Sequence, residues 1–234
     1  MAWFWGFLTF FVVLMAGSFW FGYVAAERMV GREAARRNLR YAVPWLLFGL
    51  AFAFVIPLLG RYGWVSFCIL YAGETSAWLI SWFFRKQEAG SLLADIGRTS
   101  QNKFMFWIGL IEVAVAVLYT WSFFTLVSNG VPEYTSLELE GSKVILWWSL
   151  ASFLIAIGLN KLEFRENGTC FMYSFIKWQR INSYTWEPAK LNVLTIRFKP
   201  HFPLFPGLMS IAIPAKHKDV VARILDERLP GKNL

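Results

Sequence analysis

Five long apolar runs dominate the first two thirds of the chain, with short polar loops between them. A helix needs about 20 apolar residues to cross the roughly 30 Å hydrocarbon core of a bilayer. Four of the runs meet that length. The last is shorter, so we expect it to recruit the residues that follow it or to lie where the bilayer thins. The pattern predicts a membrane domain over residues 1–159 with five transmembrane helices, at about 2–26, 41–60, 64–84, 104–127 and 144–159.

Beyond residue 159 the apolar runs give way to shorter segments in which apolar and polar residues alternate. Leu194, Ile196 and Phe198 share one face of such a segment, which is typical of a half-buried strand. An Asn-Gly pair separates two earlier strand-like segments and suits a two-residue hairpin turn. The final stretch has an apolar helical stripe opposite lysine and arginine. We expect residues 160–234 to form a small cytoplasmic α+β domain of antiparallel strands and one closing helix.

Basic residues are distributed unevenly among the loops. Loops 27–40 and 85–103 carry nine arginines and lysines, whereas the loops on the opposite side carry Arg61 and Lys143. An excess of arginine and lysine is typical of the cytoplasmic side. We therefore expect the N-terminus outside or in a lumen and the C-terminus in the cytoplasm, which requires an odd number of spans. Within the second basic loop, residues 91–96 are interpreted as a short interfacial helix or as a packing contact on the soluble side.

The composition supports a membrane protein. Charged residues make up 16% of the chain and hydrophobic residues 57%, whereas a soluble domain carries about 25% charged residues. The net charge of +8 is better explained by cytoplasmic loops than by nucleic acid, so no nucleic-acid partner is expected. Cys68 lies in an apolar run and Cys170 in the polar tail, so the pattern indicates neither a disulfide framework nor a metal site.

Two acidic residues, Glu74 and Glu112, lie inside apolar runs. A charge within a membrane is costly and marks a candidate functional site. At 1.5 Å per residue the two carboxyl groups lie about 15 and 12 Å from the same interface, so they could face each other or share a proton. We interpret Glu74, Thr75 and Glu112 as an intramembrane polar site. It would serve a proton or cation pathway, or ligate a metal or pigment. The alternative is a pair of protonated, hydrogen-bonded glutamic acids that hold helices together.

An apolar, proline-rich segment, residues 200–208, separates the last two expected strands. Proline keeps such a segment extended and unpaired, so its apolar side chains need a surface on which to be buried. One interpretation is that they cover the domain's own core. The other is a docking surface for the bilayer or a partner, in which Arg197 and Lys199 meet anionic headgroups. Its residues are Arg197, Lys199, Phe202, Leu204 and Phe205.

Motifs for catalysis and for cofactor binding are missing. The sequence has no phosphate-binding loop, no nucleophile elbow and no zinc-protease motif, so no enzymatic activity and no metal are expected. Its two histidines, His201 and His217, both lie in the tail, which excludes a bis-histidine haem between helices. No cofactor is expected, although the 23 phenylalanines and 13 tryptophans leave pigment or lipid binding open.

The tail carries a resemblance to a known type of domain. Its motifs are Glu163-x-x-Glu166-Asn167-Gly168, the run Phe175-Ile176-x-Trp178-x-x-Ile181-x-Ser183-Tyr184-x-Trp186, and the closing helix. These resemble the bacterial pleckstrin-homology-like domains found behind transmembrane helices in uncharacterised proteins, over about the last third of the chain. The whole chain is similar to membrane proteins of oxygenic photosynthetic bacteria of the cyanobacterial type. The resemblance implies an inner or thylakoid membrane, and it carries over no catalytic residue.

These observations favour a non-enzymatic membrane scaffold, an accessory or assembly factor. Its cytoplasmic domain would dock lipid headgroups or a larger membrane protein complex, of which a photosynthetic complex is one candidate. The expected partners are therefore the lipid bilayer and a membrane protein complex. The alternative is a small transporter or channel that uses Glu74 and Glu112.

Overall fold

The computed structural model describes residues 2–39, 47, 58–130, 136–188, 192–200 and 207–232. Most of the second predicted span, 41–60, lies outside the described residues. So do Phe202, Leu204 and Phe205 of the predicted docking surface.

Long helices make up the first two thirds of the described chain. They are α1 (Ala2–Val30), α2 (described over 32–39), α3 (Gly60–Glu88), α4 (Ser100–Ser128) and α5 (Leu137–Leu159). Of the described helices, three are long and apolar enough to cross a membrane: Tyr62–Glu88, Ser100–Ser128 and Leu137–Leu159. These three helices contain the third, fourth and fifth predicted spans, which is consistent with a membrane protein. The count of five spans stays a prediction.

The helices α4 and α5 form a closely packed hairpin, and α3 packs against α5. Glycine permits the close approach, because a Cβ atom built on Gly158 would lie 2.5 Å from the backbone N and Cα of Phe106. At a second glycine, Gly109, a Cβ would lie 2.9 Å from the backbone N of Ile155. Small residues at a crossing are a common means of helix association in membranes.

Both helices of the hairpin begin with a side-chain cap. At the start of α4 the Thr99 side chain accepts from the backbone N of Asn102, and the Asn102 side chain accepts from the backbone N of Thr99. This is a capping box. Asn102 also donates to the carbonyl oxygen of Ile157 at 2.8 Å, so the cap of α4 fastens the end of α5. Ser136 caps α5 and accepts from the backbone N of Leu139.

Two antiparallel sheets and one helix follow the hairpin. The first sheet has the order β1 (Leu92–Gly97), β2 (Leu162–Arg165), β3 (Gly168–Phe171), β4 (Ser174–Lys177). The second has the order β5 (Ile181–Trp186), β6 (Val193–Phe198), β7 (Leu208–Ala212), and α6 (Lys218–Arg228) closes the domain. The prediction of antiparallel strands with one C-terminal helix is confirmed. Their shared core includes fully buried Phe164, Tyr184, Leu194, Ile196, Ile211 and Leu225.

The strand β1 comes from the loop between α3 and α4. It pairs antiparallel with β2, so that Ala94 lies opposite Phe164 and Asp95 opposite Glu163. The interpretation of residues 91–96 as a short interfacial helix is therefore wrong. The alternative, a packing contact, is present as this strand pairing, and its place on the soluble side stays a prediction. Pairing with β2 satisfies backbone groups that an unpaired sheet edge would leave open.

Two tight hairpins form the rest of the first sheet. The predicted β2–β3 hairpin is present, but its turn residues are Glu166 and Asn167, one position earlier than expected, and Gly168 begins β3. A Cβ on Gly168 would lie 2.1 Å from the carbonyl oxygen of Ile176, so the close approach of β4 requires this glycine. The β3–β4 turn uses Met172 and Tyr173, both at positive φ, a backbone that side chains other than glycine rarely adopt.

Candidate functional site at the junction of helices and sheets

A buried carboxylate joins α2 to the second sheet. Glu187 directly follows β5, is only 4% exposed, and accepts a hydrogen bond from the guanidinium of Arg37. Its Oε1 also accepts from Thr195 Oγ1 at 2.5 Å, and Thr195 Oγ1 lies 2.9 Å from Ser210 Oγ. A buried charge is tolerated when it is paired and hydrogen-bonded, and here both conditions are met. The network fixes α2 against β6 and β7.

The start of α4 is held by the same sheet. Gln101 donates from Nε2 to the carbonyl oxygen of Ser210 at 2.8 Å, and its Oε1 accepts from the backbone N of Ala212 at 3.4 Å. The side-chain amide thus pairs with backbone groups of β7, which is an edge strand. This caps the open edge and positions the hairpin of α4 and α5 relative to the domain.

The end of α3 is fastened to the first sheet by a second ionic network. Buried Glu163 accepts from Lys86 at 2.8 Å and from Arg165 at 2.7 Å. Lys177 forms an ion pair with Glu88, whose carbonyl oxygen also accepts from the Asn167 side chain at 2.9 Å. Every contact of this network crosses between α3 and the sheet or lies within the sheet. The last turn of α3 and the sheet therefore form one rigid unit.

The β3–β4 turn docks on the face of α3. The ring of Tyr173 lies 5.5 Å from Trp78 and 5.0 Å from Trp82, measured between centroids. Arg85 donates to the carbonyl oxygen of Tyr173 at 2.9 Å and to that of Trp78 at 2.8 Å. Its guanidinium lies over both indole rings, at 5.1 and 5.6 Å from the centroids, a cation–π arrangement. The unusual backbone of the turn is what brings Tyr173 to this position.

A cleft of about 550 Å³ opens beside Arg85, between α3 and the two sheets. We call it the junction cleft. Its walls are mainly apolar, and its polar side chains come from different elements. It is lined by Trp78, Arg85, Gln101, Phe171, Met172, Ser174, Phe175, Arg180, Phe198 and Met209, among others.

Three groups in the strands of the two sheets have displaced pKa values. Burial raises the pKa of the Cys170 thiol to about 11, which makes it a poor nucleophile at neutral pH. Burial and the hydrogen bond to Asp226 raise the pKa of Tyr184 to about 12. The hydrogen bond from Lys161 lowers the pKa of Asp95. None of the three lines the junction cleft. Within the described part of the chain, no cluster of three or more metal-ligating side chains occurs.

The predicted intramembrane residues lie on two helices, α3 and α4. Glu74 on α3 is exposed and its neighbour Thr75 is buried. Glu112 on α4 is half-buried, and its Oε2 is buried without a hydrogen-bond partner. No hydrogen bond between Glu74 and Glu112 occurs in the described structure. The nearest link is Tyr71, which interacts with both Thr75 and Glu112. A functional pairing of the two glutamates stays a prediction.

The predicted docking surface is visible in part. Arg197 and Lys199 are exposed at the end of β6, as a role in meeting anionic groups requires. Phe202, Leu204 and Phe205 lie outside the described residues. The docking role of these five residues stays a prediction.

The residues that build the junction were missed by sequence reasoning. The sequence pattern identified Arg37 and Lys86 only as basic loop residues and Glu163 only as a motif position. It gave no role to Glu187. The pair of Arg37 and Glu187 is 150 positions apart, and no local pattern indicates such a partner. One signal was available, because acidic residues such as Glu187 next to an alternating strand are seldom buried unless paired.

Comparison with known proteins gives one match. Residues 160–230 match a family described as a domain of unknown function (DUF5673). The matched segment runs from the end of α5 through α6. It therefore omits β1 and the helices α1 to α5. No curated protein and no solved structure matches the chain. The resemblance to pleckstrin-homology-like domains stays a prediction.

Proposed function

We propose that the chain is a non-enzymatic membrane scaffold, an accessory or assembly factor whose cytoplasmic domain docks a larger membrane protein complex. The observation that carries the proposal is the rigid attachment of the domain. Contacts of Arg37, Lys86 and Gln101 fasten the sheets to three different helices. A domain on a flexible tether samples many positions and orientations, whereas a domain fixed at several points presents one surface in one orientation. Pre-organisation of this kind lowers the entropic cost of docking.

The proposal includes five spans, with the N-terminus outside and the C-terminus in the cytoplasm. The pairing of β1 with β2 supports it, because both ends of the α4–α5 hairpin must then lie on one side. The contact of Arg37 with Glu187 supports it as well, because residue 37 would then lie on the same side as the sheets, where the basic loops are expected. A single cysteine introduced at Ser136 should react with a membrane-impermeant reagent from outside, and one at Ser91 only after permeabilisation. Labelling of both from the same side would contradict this topology.

The exposed basic residues at the end of β6 are the proposed contact to the partner. Arg197 and Lys199 project from a strand whose other residues are mostly buried, so their positions are fixed by the core. Charged residues at a fixed surface steer association and select the partner. A partner with an acidic cytoplasmic face suits them.

Affinity purification of the full chain from native membranes, followed by mass spectrometry, tests the scaffold role. We expect the wild type to retain one membrane complex, and the double variant Arg197→Glu, Lys199→Glu to lose it. Arg223→Glu with Arg228→Glu on α6 is the matched control, since both arginines are also exposed. Retention by both double variants, or no complex with the wild type, would contradict the proposal. The full chain is required because residues 160–234 alone lack β1.

One observation favours the second function, a small transporter or channel. The Oε2 atom of Glu112 is buried without a hydrogen-bond partner in a helix apolar enough to span a membrane. Unpaired carboxyl groups in membranes mark proton and ion pathways. Glu112→Gln and Glu74→Gln should abolish a proton or cation flux in liposomes while the protein stays folded. If the wild type carries such a flux and loses it in these variants, transport replaces the scaffold role.

A further inference from the structure

The junction cleft combines two guanidinium groups, those of Arg85 and Arg180, with mainly apolar walls at the end of a helix that is apolar enough to span a membrane. Arg85 is the residue that distinguishes it from an ordinary surface groove. We propose that the junction cleft binds one anionic phospholipid of the cytoplasmic leaflet, with the lipid phosphate on Arg85 and an acyl chain along the apolar walls. This site requires that α3 spans a membrane and that the sheets lie on its cytoplasmic side, as proposed above, but it does not depend on the scaffold role.

The hydrogen bonds of Arg85 leave its charge without a counter-ion. Its three donated hydrogen bonds end on the carbonyl oxygens of Ser81, Tyr173 and Trp78, which are neutral acceptors. Among the described residues no carboxylate lies within ion-pair distance of it. A guanidinium has five N–H donors, so two remain for a ligand. Phosphate is the anion that best fits this planar fork.

The Arg85 side chain points back along α3, so its positive charge lies beside the part of α3 that is apolar enough to span a membrane. Arginine near a helix end ordinarily extends toward water. Here the guanidinium turns back along α3 to the carbonyl of Trp78, seven residues earlier, in a helix that is apolar enough to span a membrane. Lipid headgroup phosphates are anions that meet the end of such a helix. Basic pockets next to transmembrane helices on the cytoplasmic side are typical sites for anionic lipids.

The walls of the junction cleft suit an acyl chain better than a free anion. Phe171, Phe175, Phe198 and Met209 line it, each from a strand of the two sheets. Its volume of about 550 Å³ falls within the range of about 300–1,000 Å³ that is usual for ligand sites. The flexible side chain of methionine adapts to ligands of variable shape, and lipid acyl chains are ligands of this kind. A small soluble anion would contact polar side chains such as Arg85 and Arg180 and would leave these apolar walls in contact with water.

Native mass spectrometry of the full chain, released from detergent with added lipid, tests the site. The lipid probes are phosphatidylglycerol, which is anionic, and phosphatidylcholine, which is not. Two variants test different features of the site, its charge and its volume. Arg85→Ala removes the cation, and Ser174→Trp fills the cleft from an exposed position on an edge strand. The matched controls are Arg98→Ala and Asn182→Trp. Arg98 also donates to a backbone carbonyl and lies 4.8 Å from the ring centroid of Phe106, but it does not line the cleft.

We expect the wild type to retain one phosphatidylglycerol in preference to phosphatidylcholine. Each of the variants Arg85→Ala and Ser174→Trp should weaken that retention about tenfold or more. The first loses a charge-assisted contact, and the second loses the cavity. Both controls should bind like the wild type. If Arg85→Ala unfolds, Ser174→Trp alone decides. Equal retention of the two lipids, equal effects of Arg85→Ala and Arg98→Ala, or displacement by excess inorganic phosphate would overturn the proposal.

Discussion

Replacing Gly158 by alanine should separate the tightest helix crossing in the described structure. The added Cβ would lie 2.5 Å from the backbone N and Cα of Phe106 and 2.6 Å from its Cβ. Carbon atoms in contact are ordinarily about 3.5–4.0 Å apart, so the two helices would have to part by about 1 Å. The backbone of Phe106 cannot rotate away as a flexible side chain would. The strain therefore falls on the whole crossing.

The expected cost of Gly158→Ala is that of an overpacked site, about 1–3 kcal/mol. The displacement also stretches the hydrogen bonds that Asn102 and Arg98 donate to the last carbonyls of α5, now 2.8 and 2.9 Å. For a chain of this length, 1 kcal/mol lowers the melting temperature by about 2–4 °C. We therefore expect a fall of about 2–12 °C, near the upper end if the hydrogen bonds are also lost.

The protein's own cysteines supply the assay for Gly158→Ala. Cys68 in α3 and Cys170 in β3 are the only two cysteines, and both are buried and unpaired. A thiol-reactive fluorogenic dye should therefore react only as the protein unfolds. The control is Gly73→Ala, since a Cβ there would meet nothing within 4 Å. A melting curve for Gly158→Ala that matches wild type or Gly73→Ala would refute the close crossing.

Three further predictions concern the domain formed by the two sheets and α6. Glu187→Gln leaves Arg37, whose side chain is 34% exposed, without its carboxylate and should cost about 1–3 kcal/mol; an unchanged melting temperature would contradict the ion pair. The pKa of Tyr184 is raised to about 12 from an unfolded value of about 10. Its hydroxyl therefore stabilises the fold below pH 10, and that stabilisation is lost as the pH rises from about 10 to 12. Tyr184→Phe should make alkaline unfolding less steep in this window, and an identical pH profile would contradict the assignment. Ala94→Pro in β1 should increase hydrogen exchange in β2, because proline cannot pair in a ladder; unaltered exchange would indicate that β1 does not support the sheet.

Elements with a local pattern were predictable from the sequence. Apolar runs long enough for a bilayer became α3, α4 and α5, and the alternation of Leu194 and Ile196 marked β6, since burial on one face repeats every second residue. The strand β1 was not predictable, because Leu92 and Leu93 break the alternation and its partner lies beyond two helices. The turn at Met172 and Tyr173 also lacked a signal, since neither residue favours positive φ.

The candidate site was largely beyond prediction for the same reason. Arg85 was recognised as a basic loop residue, but its direction along α3 depends on the carbonyl oxygen of Tyr173, which lies 88 positions away. The junction cleft exists only because two sheets and a helix meet. Because the residues that line the cleft come from several elements, no single element shows a sequence periodicity that predicts the cleft.

The origin of β1 has a consequence for how the protein is made. With the proposed topology, the ribosome produces β1 before α4 and α5, and its partner β2 only afterwards, so the strand would wait in the cytoplasm while the hairpin enters the bilayer. If only one helix of the hairpin inserted, β1 and β2 would end on opposite sides. Each would then expose an open edge to aggregation and proteolysis. On that topology, we expect closure of the first sheet to act as a biogenesis checkpoint, which would tie survival of the chain to correct insertion of the hairpin.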